Sequence, residues 1–410
     1  MRQRGGQRRL LIYSHDSFGL GHLRRCRTIA HALVQHRLDL QVLILTGSPI
    51  IGSFSFANRV DFVRIPGVIK LRDGDYMPLS LDIGLCDILA IRSQIIRNTA
   101  DAFAPDLFLV DKEPLGLRGE VRETLAMLQA RDVPLVLGLR DVMDEPSQLA
   151  EEWERKHVAP ALDRFYDQIW VYGLPRICNA LEGIDLSPRI ARNVHYTGYL
   201  RRSVDQAARA SILPSAIAAE PYLLVTTGGG GDGAALIDAV LRAYEHDPAI
   251  PYTALLVLGP FMHSVLQAEF MERTARLARV EAITFDANLE TLMAGAMGVV
   301  AMGGYNTFCE ILSFDKPAVI VPRRVPRLEQ LIRAERAQAL GLVRMLTPEA
   351  IEAPGALAAA LRALPQQPRP STVRIPGLLD GLDRICGMVD LLLQPRQSWY
   401  PRAVNAESAR

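Results

Sequence analysis

The sequence lacks the features that would tie it to nucleic acid, a disulfide framework or a membrane span. Its 46 lysines and arginines are balanced by 45 aspartates and glutamates. Neutralising nucleic-acid phosphates needs a basic excess, so no nucleic-acid partner is expected. Any phosphate-bearing substrate must be met by local groups. The five cysteines (Cys26, Cys86, Cys178, Cys309 and Cys386) are odd in number, scattered, and never spaced Cys-x-x-Cys. Neither a disulfide scaffold nor a zinc site follows, and a reducing cytoplasm fits best. No apolar run approaches the ~18–20 residues of a membrane span, and Leu10 to Tyr13 is too short for a secretory h-region. A peripheral contact at the inner face of the membrane stays compatible with this.

What the sequence does have is alternation. Its 410 residues suit two domains at about 100–200 each. Short apolar runs, LLIYS, LQVLIL, DLFLVD, PLVLGL and QIWVYG, read as strands buried on both faces of a parallel sheet. Between the first two lies GHLRRCRTIAHALVQH, with Leu23, Cys26, Ala30 and Leu33 on one helical face and arginines on the other. Residues 201–220 are polar and Ala-rich and read as a linker. The pattern then restarts with YLLVTT, TALLVLG, AITF, GVVAMG, PAVIVP and GLVRML. The expectation is an α/β chain of two doubly wound domains facing a central cleft. Residues 1–205 would form the first domain and 215–368 the second. A helix over 375–395 would pack back toward the first, ahead of a disordered tail.

Four motifs sit at strand–helix junctions. Ser14-His15-Asp16-Ser17-Phe18-Gly19-Leu20-Gly21-His22 precedes Arg24. Gly19 and Gly21 permit close backbone approach, and the helix start favours an anion. A dinucleotide fingerprint would want glycine where Arg24 stands, which argues against a nicotinamide cofactor. His22 is placed at the cleft as a base or diphosphate ligand. Gly228, Gly229, Gly230 and Gly231 lead into Asp232-Gly233, a loop whose amides would converge on phosphate oxygens. No Gly-Lys-Ser/Thr follows, so this is not a P-loop. Gly303-Gly304-Tyr305-Asn306-Thr307 runs on to Glu310, expected in the first turn of a helix. Thr307-x-x-Glu310 also fits a capping box. Glu329-Gln330 opens a further helix.

Together GHLRR, GGGGDG and GGYNTFCEIL…KPAVIVP…EQ resemble family 28 glycosyltransferases over most of residues 9–345. The resemblance implies a GT-B fold of two Rossmann-like domains, and a hexosyl group moved from a UDP-sugar by an inverting, metal-independent transfer. No cofactor is expected beyond that donor substrate. It implies that Gly228 to Gly231 hold the diphosphate, and that Gly303, Gly304 and Thr307, with Asn306 beside them, form a second loop. Glu310 would hold the ribose hydroxyls, Glu329 and Gln330 would read the sugar, Phe285 would flank the base, and His22 would stand at the catalytic centre. The peptidoglycan members of the family have a longer first glycine run and an Asp before their glutamine pair, where this chain has Arg327 with Glu329.

An inverting transfer needs a base near the acceptor hydroxyl and stabilisation of the departing diphosphate. His22 is the first choice for the base because its ordinary pKa of ~6.5 suits it. Asp111 and Glu113, at a strand end, are rivals, and Asp16 and Arg140-Asp141 share that geography. Asp73-Gly74-Asp75 reads as a solvated loop rather than a metal site. Residues 66–82 are expected to help bind a saccharide, lipid or small-molecule acceptor. Two other functions use the same pocket: a UDP-sugar 2-epimerase, and a non-catalytic nucleotide-sugar-binding protein.

Overall fold

The computed structural model describes residues 6–15, 20–70, 75–204 and 220–394. Asp16, most of the expected linker and the tail lie outside the described residues.

The first sheet is formed by β1 (Arg8–Ser14), β2 (Leu40–Thr46), β3 (Val60–Arg64), β6 (Leu107–Asp111), β7 (Leu135–Arg140), β8 (Gln168–Tyr172) and β9 (Val194–Tyr196). A small antiparallel hairpin, β4 (Val68–Lys70) with β5 (Tyr76–Pro78), lies within the expected acceptor segment. The second sheet holds β10 (Tyr222–Thr226), β11 (Thr253–Val257), β12 (Val280–Ile283), β13 (Gly298–Ala301), β14 (Ala318–Ile320) and β15 (Arg344–Met345). Strand orders are β3-β2-β1-β6-β7-β8-β9 and β12-β11-β10-β13-β14-β15, and the pairs in both sheets are parallel. The expected α/β architecture is therefore present twice. Every residue of β6 and β10 is buried, as strands covered by helices on both faces require.

The topology places the site. In each sheet the strand order reverses beside its first strand, between β1 and β6 and between β10 and β13. Ligands of doubly wound sheets bind beyond the strand C-termini at that switch point. Beyond β1 begins α1 (Gly21–His36), beyond β10 α2 (Ala234–His246), and beyond β13 α4 (Tyr305–Ser313), with α3 (Leu289–Gly295) between them. These are three of the four singled-out junctions. The fourth is the start of α5 (Glu329–Ala339).

Arg24 and Arg25 on α1 are both buried, Arg24 against Glu290 and Glu310 of the second domain and Arg25 against Asp111 of the first sheet. One expectation is corrected here. The final helix, α6 (Gly381–Leu392), begins six residues later than expected by residue number. It rests on α1, where Asp390 pairs with His36 at 2.7 Å and Arg37 at 2.8 Å.

Candidate functional site

His22 is the second residue of α1, and β6 neighbours β1, so the fold brings the end of β6 to this helix. Asp111 Oδ2 lies 2.5 Å from His22 Nδ1. Arg25, one turn further along α1, donates from Nε to Asp111 Oδ1 at 2.8 Å and from Nη2 to Oδ2 at 2.6 Å. Arg25 Nη2 also lies 3.0 Å from His22 Nδ1. A guanidinium only donates, so the shorter contact assigns the proton: Nδ1–H donates to Asp111 and Nε2 is left as the acceptor. Burial pushes the His22 imidazole down to about 4, with Asp111 opposing. Burial would raise Asp111, but Arg25 and His22 outweigh it and hold the carboxyl well below its usual range.

Both Asp111 oxygens are thus engaged, one by the imidazole and both by Arg25. Glu113 is not brought to His22. It pairs with Lys112 at 3.6 Å and Lys156 at 3.3 Å. Burial would raise it, and these lysines with His15 hold it low instead. Asp141 is tied to Arg333 by bonds of 2.8 and 2.6 Å and accepts from the Tyr199 hydroxyl at 2.9 Å. Asp75 pairs with Arg118 at 2.7 Å on the surface.

Across the cleft, Gly228 and Gly230 have φ of +68° and +88°. An added Cβ at Gly230 would sit 2.4 Å from the Leu258 carbonyl, so only glycine packs there. Gly229 and Gly231 complete this turn, and Gly229 accepts from the Phe261 amide at 2.9 Å. The α2 start is capped by Gly233 with no side-chain bond. Leu236 and Ile237 bond back to the Gly233 carbonyl at 3.1 and 3.2 Å, so the amides of Ala234 and Ala235 ahead of them are the ones a helix start offers to an anion. The α4 start repeats the device: Gly303, at φ +80°, turns the chain and Gly304 is the cap, again without a side-chain bond.

This corrects two readings of α4. The helix begins at Tyr305, so Thr307 is its third residue, not its cap, and Glu310 falls in the second turn. No capping box exists. Glu310 is fully buried; its Oε1 accepts from Arg24 Nη2 at 2.6 Å. Its Oε2 has no partner among the described residues. Burial pushes the Glu310 carboxyl up to about 7, against the pull of Arg24. The Asn306 amide is engaged elsewhere, donating to the Gly21 carbonyl at 3.0 Å and accepting from Arg202 at 2.7 Å. The latter two residues thereby link the halves of the molecule.

Glu329 and Gln330 are buried. Arg323 donates to Glu329 Oε1 at 2.7 Å and, from its backbone, to Gln330 Oε1 at 3.2 Å. Glu329 Oε2 is buried and unpartnered among the described residues. Phe285 follows β12 and meets Phe54 of the first sheet's side edge-on, ring centres 6.2 Å apart. Phe261, Leu20 and Ile51 complete that apolar wall.

Sequence reasoning missed Arg25, Glu290, Arg202 and Arg333 as parts of the site, and read Arg24 only as a missing glycine. Two adjacent arginines opening a helix after a buried strand were the available signal. A cavity of about 540 Å³ between Met143, Cys178 and Ile332 contains none of the glycine loops. Among the described residues, no helix is long and apolar enough to cross a membrane.

Residues 223–371 match the glycosyltransferase family 28 C-terminal domain. Over 214 residues the chain is 29% identical to the UDP-N-acetylglucosamine--N-acetylmuramyl-(pentapeptide) pyrophosphoryl-undecaprenol N-acetylglucosamine transferase of Methylorubrum extorquens strain PA1, covering 48% of this chain and 55% of that protein. The chain thus spans about half the length of the curated relatives it matches. Among solved structures, the glycotransferase of kitacinnamycin gives a TM-score of 0.64 at 16% identity, covering 94% of this chain and 99% of that one. MurG of Acinetobacter baumannii gives 0.55 at 13% identity with the same coverage. A protein described as a UDP-N-acetylglucosamine 2-epimerase, from Listeria monocytogenes, gives 0.59 at 13%, covering 95% and 99%. At these identities the likeness is one of fold, and the fold is GT-B.

Proposed function

On a GT-B chain whose C-terminal domain belongs to glycosyltransferase family 28, we propose transfer of a hexosyl group from a UDP-sugar to an acceptor hydroxyl, with His22 as the base. The observation that carries this is the 2.5 Å contact of His22 Nδ1 with Asp111, at a helix start that faces two uncapped glycine turns. The acceptor oxygen attacks the anomeric carbon and its proton passes to His22 Nε2. The bond from that carbon to the β-phosphate oxygen breaks, and UDP departs with the electron pair. One displacement inverts the anomeric centre. The free amides at the starts of α2 and α4 take up the charge that develops on the diphosphate. Glu310 Oε2 accepts from the ribose, and Glu329 and Gln330 face the sugar hydroxyls. We read the transfer as independent of a metal ion, with these amides in the role a cation would play.

On the acceptor side, Met77, Leu81, Ile83 and Ile91 are exposed around the β4–β5 hairpin. They support an apolar, lipid-linked acceptor met at a membrane surface.

The test offers a panel of UDP-sugars with a lipid extract or soluble saccharides and measures UDP release, with and without EDTA. Release that depends on added acceptor and survives EDTA is expected. Conversion of a UDP-sugar to its epimer without acceptor would make the chain an epimerase. Binding without turnover in any arm would leave a non-catalytic binding protein.

A further inference from the structure

We propose that Arg24 is a positioning residue which couples donor occupancy to placement of the base across the cleft. The proposal rests on reading His22 as base and Glu310 as the ribose-holding carboxylate. His22, Arg24 and Arg25 occupy one turn of α1, and the two arginines diverge. Arg25 turns to its own sheet and, through Asp111, holds His22. Arg24 crosses to the other domain, where a single Nη2 donates to Glu310 at 2.6 Å and to Glu290 in α3 at 2.7 Å. The same turn is fastened twice more. Asn306 donates to the Gly21 carbonyl at 3.0 Å, and Arg202 bonds both Asn306, at 2.7 Å, and Thr28. The turn that carries the base is therefore seated on the helix that carries the donor-facing acid.

The cluster is incomplete as it stands. Two carboxylates share one guanidinium nitrogen, and Glu310 Oε2 is buried with no partner among the described residues. A buried carboxylate oxygen without a donor is costly, and a ribose hydroxyl is a donor of the right kind. A hydroxyl on Oε2 favours the ionised form of Glu310, and an ionised Glu310 holds Arg24 more strongly. The reverse follows by linkage, since a coupling between two bonds acts equally on both. Donor binding thereby tightens the seat of α1 and fixes His22 over the anomeric carbon. A residue that only stapled the domains would change stability and nothing else.

The experiment compares wild type with Arg24→Gln and Arg24→Lys. It measures UDP affinity by calorimetry, the rate of UDP release from UDP-N-acetylglucosamine with water as acceptor, and the melting temperature. For Arg24→Gln we expect UDP affinity at least fivefold weaker, within the usual span of about 5–150-fold for coupled sites, and hydrolysis at donor saturation at least tenfold slower. Arg24→Lys keeps the charge but presents one compact ammonium in place of the planar fork. Its rate and affinity should fall between those of the other two. A lower melting temperature with affinity and saturated rate both unchanged would overturn the proposal. If Arg24→Gln does not fold, Arg24→Lys decides, and wild-type values for both rate and affinity would overturn it. A wild-type protein with no affinity for UDP would instead remove the reading on which the proposal rests.

Discussion

Burial and a carboxylate pull the His22 imidazole in opposite directions, and burial wins, taking it down to about 4. A base must be unprotonated to act, so His22 stays competent down to pH values where an ordinary histidine, at ~6.5, is silenced. We predict that kcat at saturating donor, where the ribose holds Glu310 ionised, is flat from about pH 7 to 5 and falls below that with the loss of one group near 4. An acid limb of kcat centred near 6.5 would contradict the burial reading. Stability carries the same sign: the unfolded chain takes the His22 proton first, so this contribution is present above ~6.5 and is lost as pH falls through about 4. Asp111→Asn should act twice. With one oxygen replaced by an NH2 donor and Arg25 competing for the other, His22 Nδ1 loses its carboxylate acceptor and the imidazole tautomer is no longer set, slowing transfer by about 10²–10⁴. The substitution also leaves buried Arg25 without its charge partner, at a cost of about 3–5 kcal/mol. A rate assay beside a denaturant titration separates the two effects.

At the scale of elements, the glycine turns differ among themselves in a way that can be measured. Gly228 and Gly230 both have positive φ, but an added Cβ meets nothing within 4 Å at Gly228 and the Leu258 carbonyl at 2.4 Å at Gly230. Gly228→Ala should cost only the strain of a left-handed residue, about 1–2 kcal/mol, and keep most UDP affinity. Gly230→Ala must displace backbone, so stability and UDP affinity should both fall further. Equal effects at the two positions would argue against this turn geometry. The strands around these turns were legible because double burial writes unbroken apolar runs, as in β6 and β10. β3 was not, since at the sheet edge only Val60 of Val-Asp-Phe-Val-Arg is buried. The start of α4 was misplaced because Thr307-x-x-Glu310 satisfies the capping pattern, whereas the turn at Gly303 and the cap at Gly304 start the helix three residues earlier.

For the whole molecule, the cleft is closed by arginines that one-domain reasoning assigns to water. Arg333 of α5 is 1% exposed, binds Asp141 of the other domain and also donates to the Gly303 carbonyl at 2.9 Å. Arg24 behaves alike. Amphipathic patterning sorts residues by burial within a domain, and a helix facing a second domain has a buried polar face that looks solvated in sequence. His22 was legible because it stands at a helix start after a strand; its orienting partners were not, since Arg25 reads as surface and Asp111 read as a rival. The central claim is that the donor is held by one domain and the base is supplied by the other. Titration calorimetry of UDP into wild type, His22→Ala and Glu310→Gln tests it most directly. The account predicts affinities for wild type and His22→Ala within about threefold of each other. Glu310→Gln should be weaker by about 1.5–3 kcal/mol, the value of hydrogen bonds to a charged group, or roughly tenfold to a hundredfold in Kd. UDP affinity lost in His22→Ala and kept in Glu310→Gln would contradict the account.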